Sequence, residues 1–449
     1  MRHDAHGLAI STNSDAALAA FDHVVEGYLK YRADLADRMT ALLDADPEFG
    51  LAHCLKGYLT MLLYKQTAIP AAAKSAATAR RLTEQATPRE RAHVDALDAW
   101  AAGDIDRAIA VWEAILRDHP LDVLAFRLAH FSNFWLGRPH DMAASAERVL
   151  PHWSEPLPGY GSVLACFCFA AEECGNFLAA EPAGRRAIEL DPGDLWAAHA
   201  VAHVLEMQGR RGEGIQWLTA LAPNWDGGNN LQHHLSWHCA LFYLERGDTA
   251  TVLELYDRSF RNLASPLTIA QPDLYIDVQN AASMLFRLQR LGVNVENRWE
   301  ELADKAEARI GDCVSAFTLP HWMMALAATG RTDAADRMIE AMRGYANGAG
   351  TTPPLVRDYA LPIAEAVRAH GEGRYADAVE AMRPALGGMF RLGGSHAQQD
   401  VLEQLYLDAA ARAGRTDEVR KMLERVAGRR ALPPERWVGW RNAARQIAI

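Results

Sequence analysis

The chain predicts an all-α fold, a right-handed α-solenoid of repeated helix pairs, and three observations predict it. First, prolines recur at a fixed spacing. Pro47 (DADPEFG), Pro120 (RDHPLDV) and Pro192 (ELDPGDL) are 73 and 72 residues apart, and Pro156 lies 36 from each of the last two. A period near 36 is that of a two-helix unit, and proline suits a helix start because its fixed φ fits and no N–H is lost. Second, short segments led by glycine recur, each followed by apolar residues at helical i, i+4 spacing. Third, no stretch of consequence alternates polar and apolar residues as a strand would.

Taken in order, residues 48–100 hold a long apolar helix and then TPRERAHVDALDAWAAG, a second helix with Thr87 as its N-cap. The glycine-led segments follow. They are GDIDRAIAVWEAILRDHP from Gly103, GNFLAAEPAGRRAIELDP from Gly175 and GDTATVLELYD from Gly247. Later come GRTDAADRMIEAM from Gly330, GRYADAVEAMRPAL from Gly373 and GRTDEVRKMLERV from Gly414. Ala108, Ala180 and Ala378, each five after its glycine, are small enough to let neighbouring helices approach. Residues 260–312 lack a clean unit. The Gly/Pro/Thr stretch YANGAGTTPPL (345–355) reads as a loop. It divides the chain into residues 1–344, a solenoid with a concave pocket, and 345–449, helical repeats that continue or cap it. At the usual repeat length this makes about eleven to thirteen pairs or fewer.

Composition sets the outer limits. The 449 residues are half apolar, with 46 basic and 57 acidic side chains and a net charge of −11. That balance argues against nucleic acid, which needs a basic footprint, and against a polybasic membrane anchor. No run of about 18 apolar residues is present to span a membrane, and MRHDAHGLAISTNSD has no secretory h-region. Six cysteines form no C-x-x-C pair and lie mostly in apolar helical runs, as buried reduced thiols do. The expectation is a soluble cytoplasmic protein.

The chemistry concentrates between LWAAHAVAHVLEMQG and NLQHHLSWHCALFYLE. His199 and His203 are four apart with Glu206 three further on, and His234 and His238 are again four apart. Residues at i, i+4 and i+7 share one helix face, so two such helices side by side would bring imidazoles and a carboxylate together. H-x-x-x-H-x-x-E can supply three ligands to one divalent metal, with Zn, Fe or Mn suited to imidazole and carboxylate. His199, His203, Glu206 and His238 are the candidate ligands. The pattern is not H-E-x-x-H, so no metalloprotease follows. The bland alternative is a buried histidine network holding repeats in register. Trp237, between the second pair, either lines a ligand pocket or packs in the core, and its phase 100° from His238 favours the core. LGGSHAQQD (392–400) reads as a Gly-Gly turn with Ser395 as N-cap of a helix carrying Gln398 and Asp400. It is either an anion-binding helix start or simply a capped turn. There is no G-x-S-x-G, and no cysteine in a nucleophile context.

These segments resemble the tetratricopeptide repeat protein 38 family over most of the chain. The resemblance is carried by STNSDAALAAFD, RERAHVDALDAWAAGD, WEAILRDHPLDVLAFRLAH, LWAAHAVAHVLEM, LSWHCALFYLERGD, SMLFRLQRLGV and RLGGSHAQQDVLEQL. It implies tetratricopeptide-like helix pairs whose first helices line a concave groove. It matches the family pattern at His130, Glu173, His199, His203, Glu206, His234, Trp237, His238, Asp277, His321, Gly393, Gly394, Ser395, Gln398 and Asp400. His396 departs from the pattern, and the position of His233 varies. The family carries no established activity.

Two functions stay open. In one, the groove holds a small polar ligand, with His130, Glu173, His199, His203, Glu206, His234 and His238 as metal ligands or acid–base groups of a hydrolase-like enzyme. Trp237, Asp277, His321, Ser395, Gln398 and Asp400 would bind the ligand. In the other, the groove is a scaffold for a peptide or partner protein. A homodimer is compatible with either.

Overall fold

The six glycines expected to end helices all adopt left-handed backbone in the computed structural model, which describes residues 2–447. Their φ values run from +68° to +86°. In every case the next helix begins two residues later, at Ile105, Phe177, Thr249, Thr332, Tyr375 and Thr416. The prolines behave differently from the expectation. Pro47, Pro120 and Pro192 stand three residues before their helices, which begin at Gly50, Val123 and Leu195. The reason is visible at Asp122 and Asp194. Each accepts a hydrogen bond at 2.9 Å from a backbone N–H three residues on, at Ala125 and Ala197. The aspartate therefore takes the N-cap, and the proline rigidifies the turn before it. Thr87 is the N-cap expected, in a full capping box with Glu90 and with Pro88 in the first turn.

Among the described residues the chain is all-α apart from a two-residue antiparallel pair, Arg2–His3 with Ala9–Ile10, and an isolated bridge between Arg32 and Gly228. It forms two compact units. The first comprises residues to Val201, Leu221–Leu231 and Ala349–Thr351, and the second Ala202–Ala220, Gln232–Gly348 and Thr352 onward. Residues from 352 to 447 thus share a unit with 232–348.

In the first unit, α1 (Asp15–Leu29) packs on α2 (Leu35–Ala45), α3 (Gly50–Met61) on α4 (Ile69–Leu82), and α5 (Pro88–Ala101) on α6 (Ile105–Asp118). Next, α7 (Val123–Trp135) pairs with α8 (Pro139–Val149), and α9 (Tyr160–Glu173) with α10 (Phe177–Leu190). These are tetratricopeptide-like pairs. Small residues set their spacing, since Ala108 and Ala180 are fully buried. Helix α11 (Leu195–Met207) is continuous through the boundary into the second unit.

The second unit continues with α12 (Arg211–Leu221), α13 (Leu231–Glu245), α14 (Thr249–Leu255), α15 (Pro266–Ala270) and α16 (Tyr275–Arg290). Then come α17 (Arg298–Ala308), α18 (Leu319–Ala328), α19 (Thr332–Ala346), α20 (Thr352–Leu355) and α21 (Leu361–Gly371). The last four are α22 (Tyr375–Met382), α23 (His396–Arg412), α24 (Thr416–Ala427) and α25 (Arg441–Ile447). Helix α16 packs on both α18 and α23, and every residue from Asp277 to Leu288 is buried. No helix among the described residues is long and apolar enough to cross a membrane.

Gly184 on α10 shows how close the pairs approach. A Cβ there would stand 2.6 Å from Cγ2 of Val201 and 2.7 Å from Sγ of Cys168. Alanine normally favours a helix over glycine by about 1 kcal/mol. Gly184→Ala should nonetheless destabilise the protein by roughly 1–3 kcal/mol, because a packed interior resists overfilling. Urea denaturation is the check, and an unchanged or raised midpoint would contradict this packing.

Candidate imidazole site

Helix α11 is built from strong helix formers, starts at the Asp194 cap and ends at Gly209, where φ is +69°. It places His203 and Glu206 on one face, with His199 one turn earlier. Helix α13 presents His234 and His238 one turn apart. Packing brings the two sets together as their spacing implied. The His203 and His238 rings are 4.5 Å apart between centroids, and those of His234 and His238 4.7 Å. Each of the three offers a ring nitrogen within 4.8 Å of the others.

Two of these rings are oriented from behind. His238 Nδ1 lies 3.0 Å from a Glu206 carboxylate oxygen, and His234 Nδ1 lies 2.9 Å from the Asn280 side-chain oxygen. An amide oxygen only accepts, so His234 carries its proton on Nδ1 and its lone pair on Nε2. An ionised Glu206 imposes the same tautomer on His238. Trp237 stacks on His234 at 5.1 Å and 13°, is fully buried, and donates from Nε1 to Ser283 Oγ at 3.2 Å. It supports the ring from the core.

Burial governs the charges. His203 and His234 are held well below the usual imidazole range, first by burial and then by the neighbouring imidazoles. His238 is pushed down to about 3 by burial and by Arg287. Burial pushes Glu206 up to about 7, against the pull of Arg430 and Arg287. The Glu206–His238 contact is thus a hydrogen bond to a neutral imidazole rather than an ion pair.

The C-terminal segment supplies a wall. Burial alone would raise the Asp400 carboxyl, yet Arg430 and Arg287 hold it below its usual range. Arg430 lies 2.7 Å from one of its oxygens and Arg287 3.3 Å from the other, and Trp440 Nε1 donates to it at 2.9 Å. Ser395 is the expected N-cap, in a capping box with Gln398. The Gln398 amide nitrogen donates to Gln279, which donates to Thr318. The segment is a capped turn tied into the core. Asp277 bonds His233 Nδ1 at 3.1 Å, and His321 Nδ1 donates to the Phe317 carbonyl at 2.9 Å, with burial pushing His321 down to about 4. A small crevice of about 40 Å³ lies beside this wall, lined in part by Glu206, Arg287, Arg290, Asp400 and Arg430.

The first unit holds the remaining expected residues. His130 on α7 is buried among Phe126, Phe169 and Trp196, and His199 lies between Phe169 and Trp196. Glu173 ends α9, half-buried. A groove-lining set would be exposed, whereas every expected residue except Glu173 is buried. The sequence reading missed Asn280, Arg287, Arg430 and Trp440. Arg287, alone in the apolar run SMLFRL, was the available signal.

No family model matches the chain. Among solved structures, it is similar to a human IFIT1 dimer with m7Gppp-AAAA (14% identity, 94% of this chain and 96% of that one, TM-score 0.40). It is also similar to the P58(IPK) TPR domain (12% identity, 89% and 97% covered, TM-score 0.21).

The pKa directions fix a pH dependence. A folded imidazole pKa depressed below 6.5 gives stability that is complete above pH 6.5 and lost as pH falls toward the folded value. For His238 the loss from pH 6.5 to 5 is about 2 kcal/mol. Glu206, with its folded value raised, acts oppositely and destabilises as pH rises from 4.5 toward 7. Urea unfolding at pH 5 and 7.5 should show His238→Gln losing less on acidification than wild type, and Glu206→Gln losing more. Parallel profiles in all three proteins would contradict the assignment.

Proposed function

We propose that the second unit binds a divalent metal through His203, His234 and His238, and uses it on a small polar ligand in hydrolase-like chemistry. One observation carries this reading. Ring nitrogens of three buried imidazoles lie within 4.8 Å of one another, and two of the rings are held in place at Nδ1 by Glu206 and Asn280. Three neutral imidazoles so close together offer a divalent cation a ready set of nitrogen ligands.

The donor set fits. Neutral imidazole suits Zn, Fe and Mn, and three histidines with an open fourth position are a known catalytic arrangement for zinc. Nitrogens on one tetrahedral ion stand about 3.3 Å apart at metal–nitrogen bonds near 2.0 Å, so the cluster must contract slightly through its side chains. Glu206 and Asn280 are the outer partners that fix ring orientation. A bound cation would polarise a carbonyl or acidify a water. Glu206, which bonds His238, also lines the small crevice.

Protein purified without an affinity tag should carry about one equivalent of Zn, Fe or Mn by elemental analysis, or take one up by titration. His234→Ala and His238→Ala should abolish uptake. Glu206→Gln should weaken it by about 10- to 100-fold while remaining folded by circular dichroism. A folded wild-type chain that binds none of the three ions overturns the reading.

A further inference from the structure

Among the described residues, Arg127 on α7 is a buried cation without a carboxylate partner. Its relative exposure is 1%. Nη1 donates to Cys166 Sγ at 2.8 Å and Nη2 donates to the Tyr31 hydroxyl. Three rings enclose the guanidinium, with Tyr31 at 5.2 Å and Phe131 and Trp196 each at 4.8 Å from their centroids. Its Nε–H has no acceptor. One turn further along the same helix, His130 is equally buried, and neither ring nitrogen has a hydrogen-bond partner.

Neither unmet group is tolerable alone. A buried charge is normally paired, and an unmet buried donor costs about 1–3 kcal/mol. The acidic groups nearby do not supply the missing charge. Burial pushes the Cys166 thiol and the Tyr28 hydroxyl up, so both are neutral at pH 7. Asp194 lies within the field of Arg127, but its carboxylate caps α11.

We propose that Arg127 and His130 form a binding site for the carboxylate of a small monoanionic, planar ligand. The carboxylate accepts from Arg127 Nε–H and from the N–H of neutral His130. The residues are three apart on one helix, so both donors can address one group. A single buried cation balances a single negative charge, and a phosphate dianion would leave one charge unmet. The aromatic enclosure favours a flat apolar body on that carboxylate. The inference concerns the first unit alone and stands without the metal reading.

The test uses the full chain with benzoate, acetate and inorganic phosphate as probes, read by calorimetric titration and thermal unfolding. Benzoate should bind and raise the midpoint, acetate should bind more weakly, and phosphate should do neither. Arg127→Lys, which keeps the charge but loses Nε–H, and His130→Phe, which keeps the ring, should each weaken benzoate by about tenfold or more. Three results would overturn the proposal. One is no carboxylate binding by folded wild-type protein. Another is phosphate binding as tight as benzoate. The third is thiolate absorbance from Cys166 at pH 7, assigned with Cys166→Ser, which would show that the counter-charge comes from within the chain.

Discussion

The buried carboxylate of Asp400 is the constraint on which the second unit is organised. It lies at the meeting of α16, α23 and the residues around Trp440, and receives Arg287, Arg430, the Trp440 indole and Gln404. Removing a carboxylate from water costs several kcal/mol, which a single ion pair rarely recovers. Here several donors act together, and the Asp400 carboxyl stays below its usual range. Losing any one donor leaves charge buried without compensation. The segment from Ser395 onward is therefore fixed against α16, and α16 in turn presents Asn280 to His234.

That dependence explains why α16 is buried on all sides yet carries Asp277, Gln279, Asn280, Ser283 and Arg287. A helix buried all round is normally apolar. Each of these side chains instead meets a partner on another helix or on its own backbone: His233, Thr318, His234, Trp237 and Asp400 among them. Hydrogen bonds in such a setting are worth more than in water, and an unmet group is correspondingly costly. The polar interior thus specifies one packing of α13, α16, α18 and α23. Apolar repeats alone would tolerate several registers.

Much of this was legible in the sequence, for a physical reason. Helix ends depend on local chemistry, so the six αL glycines, the Thr87 box and the Ser395 box could be read from a few neighbouring residues. The pairing of His203 with His238 was legible because helical periodicity and adjacency in the repeat leave little freedom. The contribution of Arg287, Arg430 and Asn280 was not. Arg287 and Asp400 meet across 113 residues, and no local pattern encodes that contact. Burial was also misjudged. A repeat helix facing a groove and one covered by a later segment have the same periodicity, and only the C-terminal wall distinguishes them.

A purely structural histidine network and a ligand site make different demands on the protons. A network that exists only to hold helices together is most stable when every N–H meets a lone pair within it. In this cluster two of the rings are instead held at Nδ1 by polar groups outside it, Glu206 and Asn280. Burial and Arg287 also keep His238 uncharged near neutral pH. Outer partners that orient neutral imidazoles are what the proposed cation site would need.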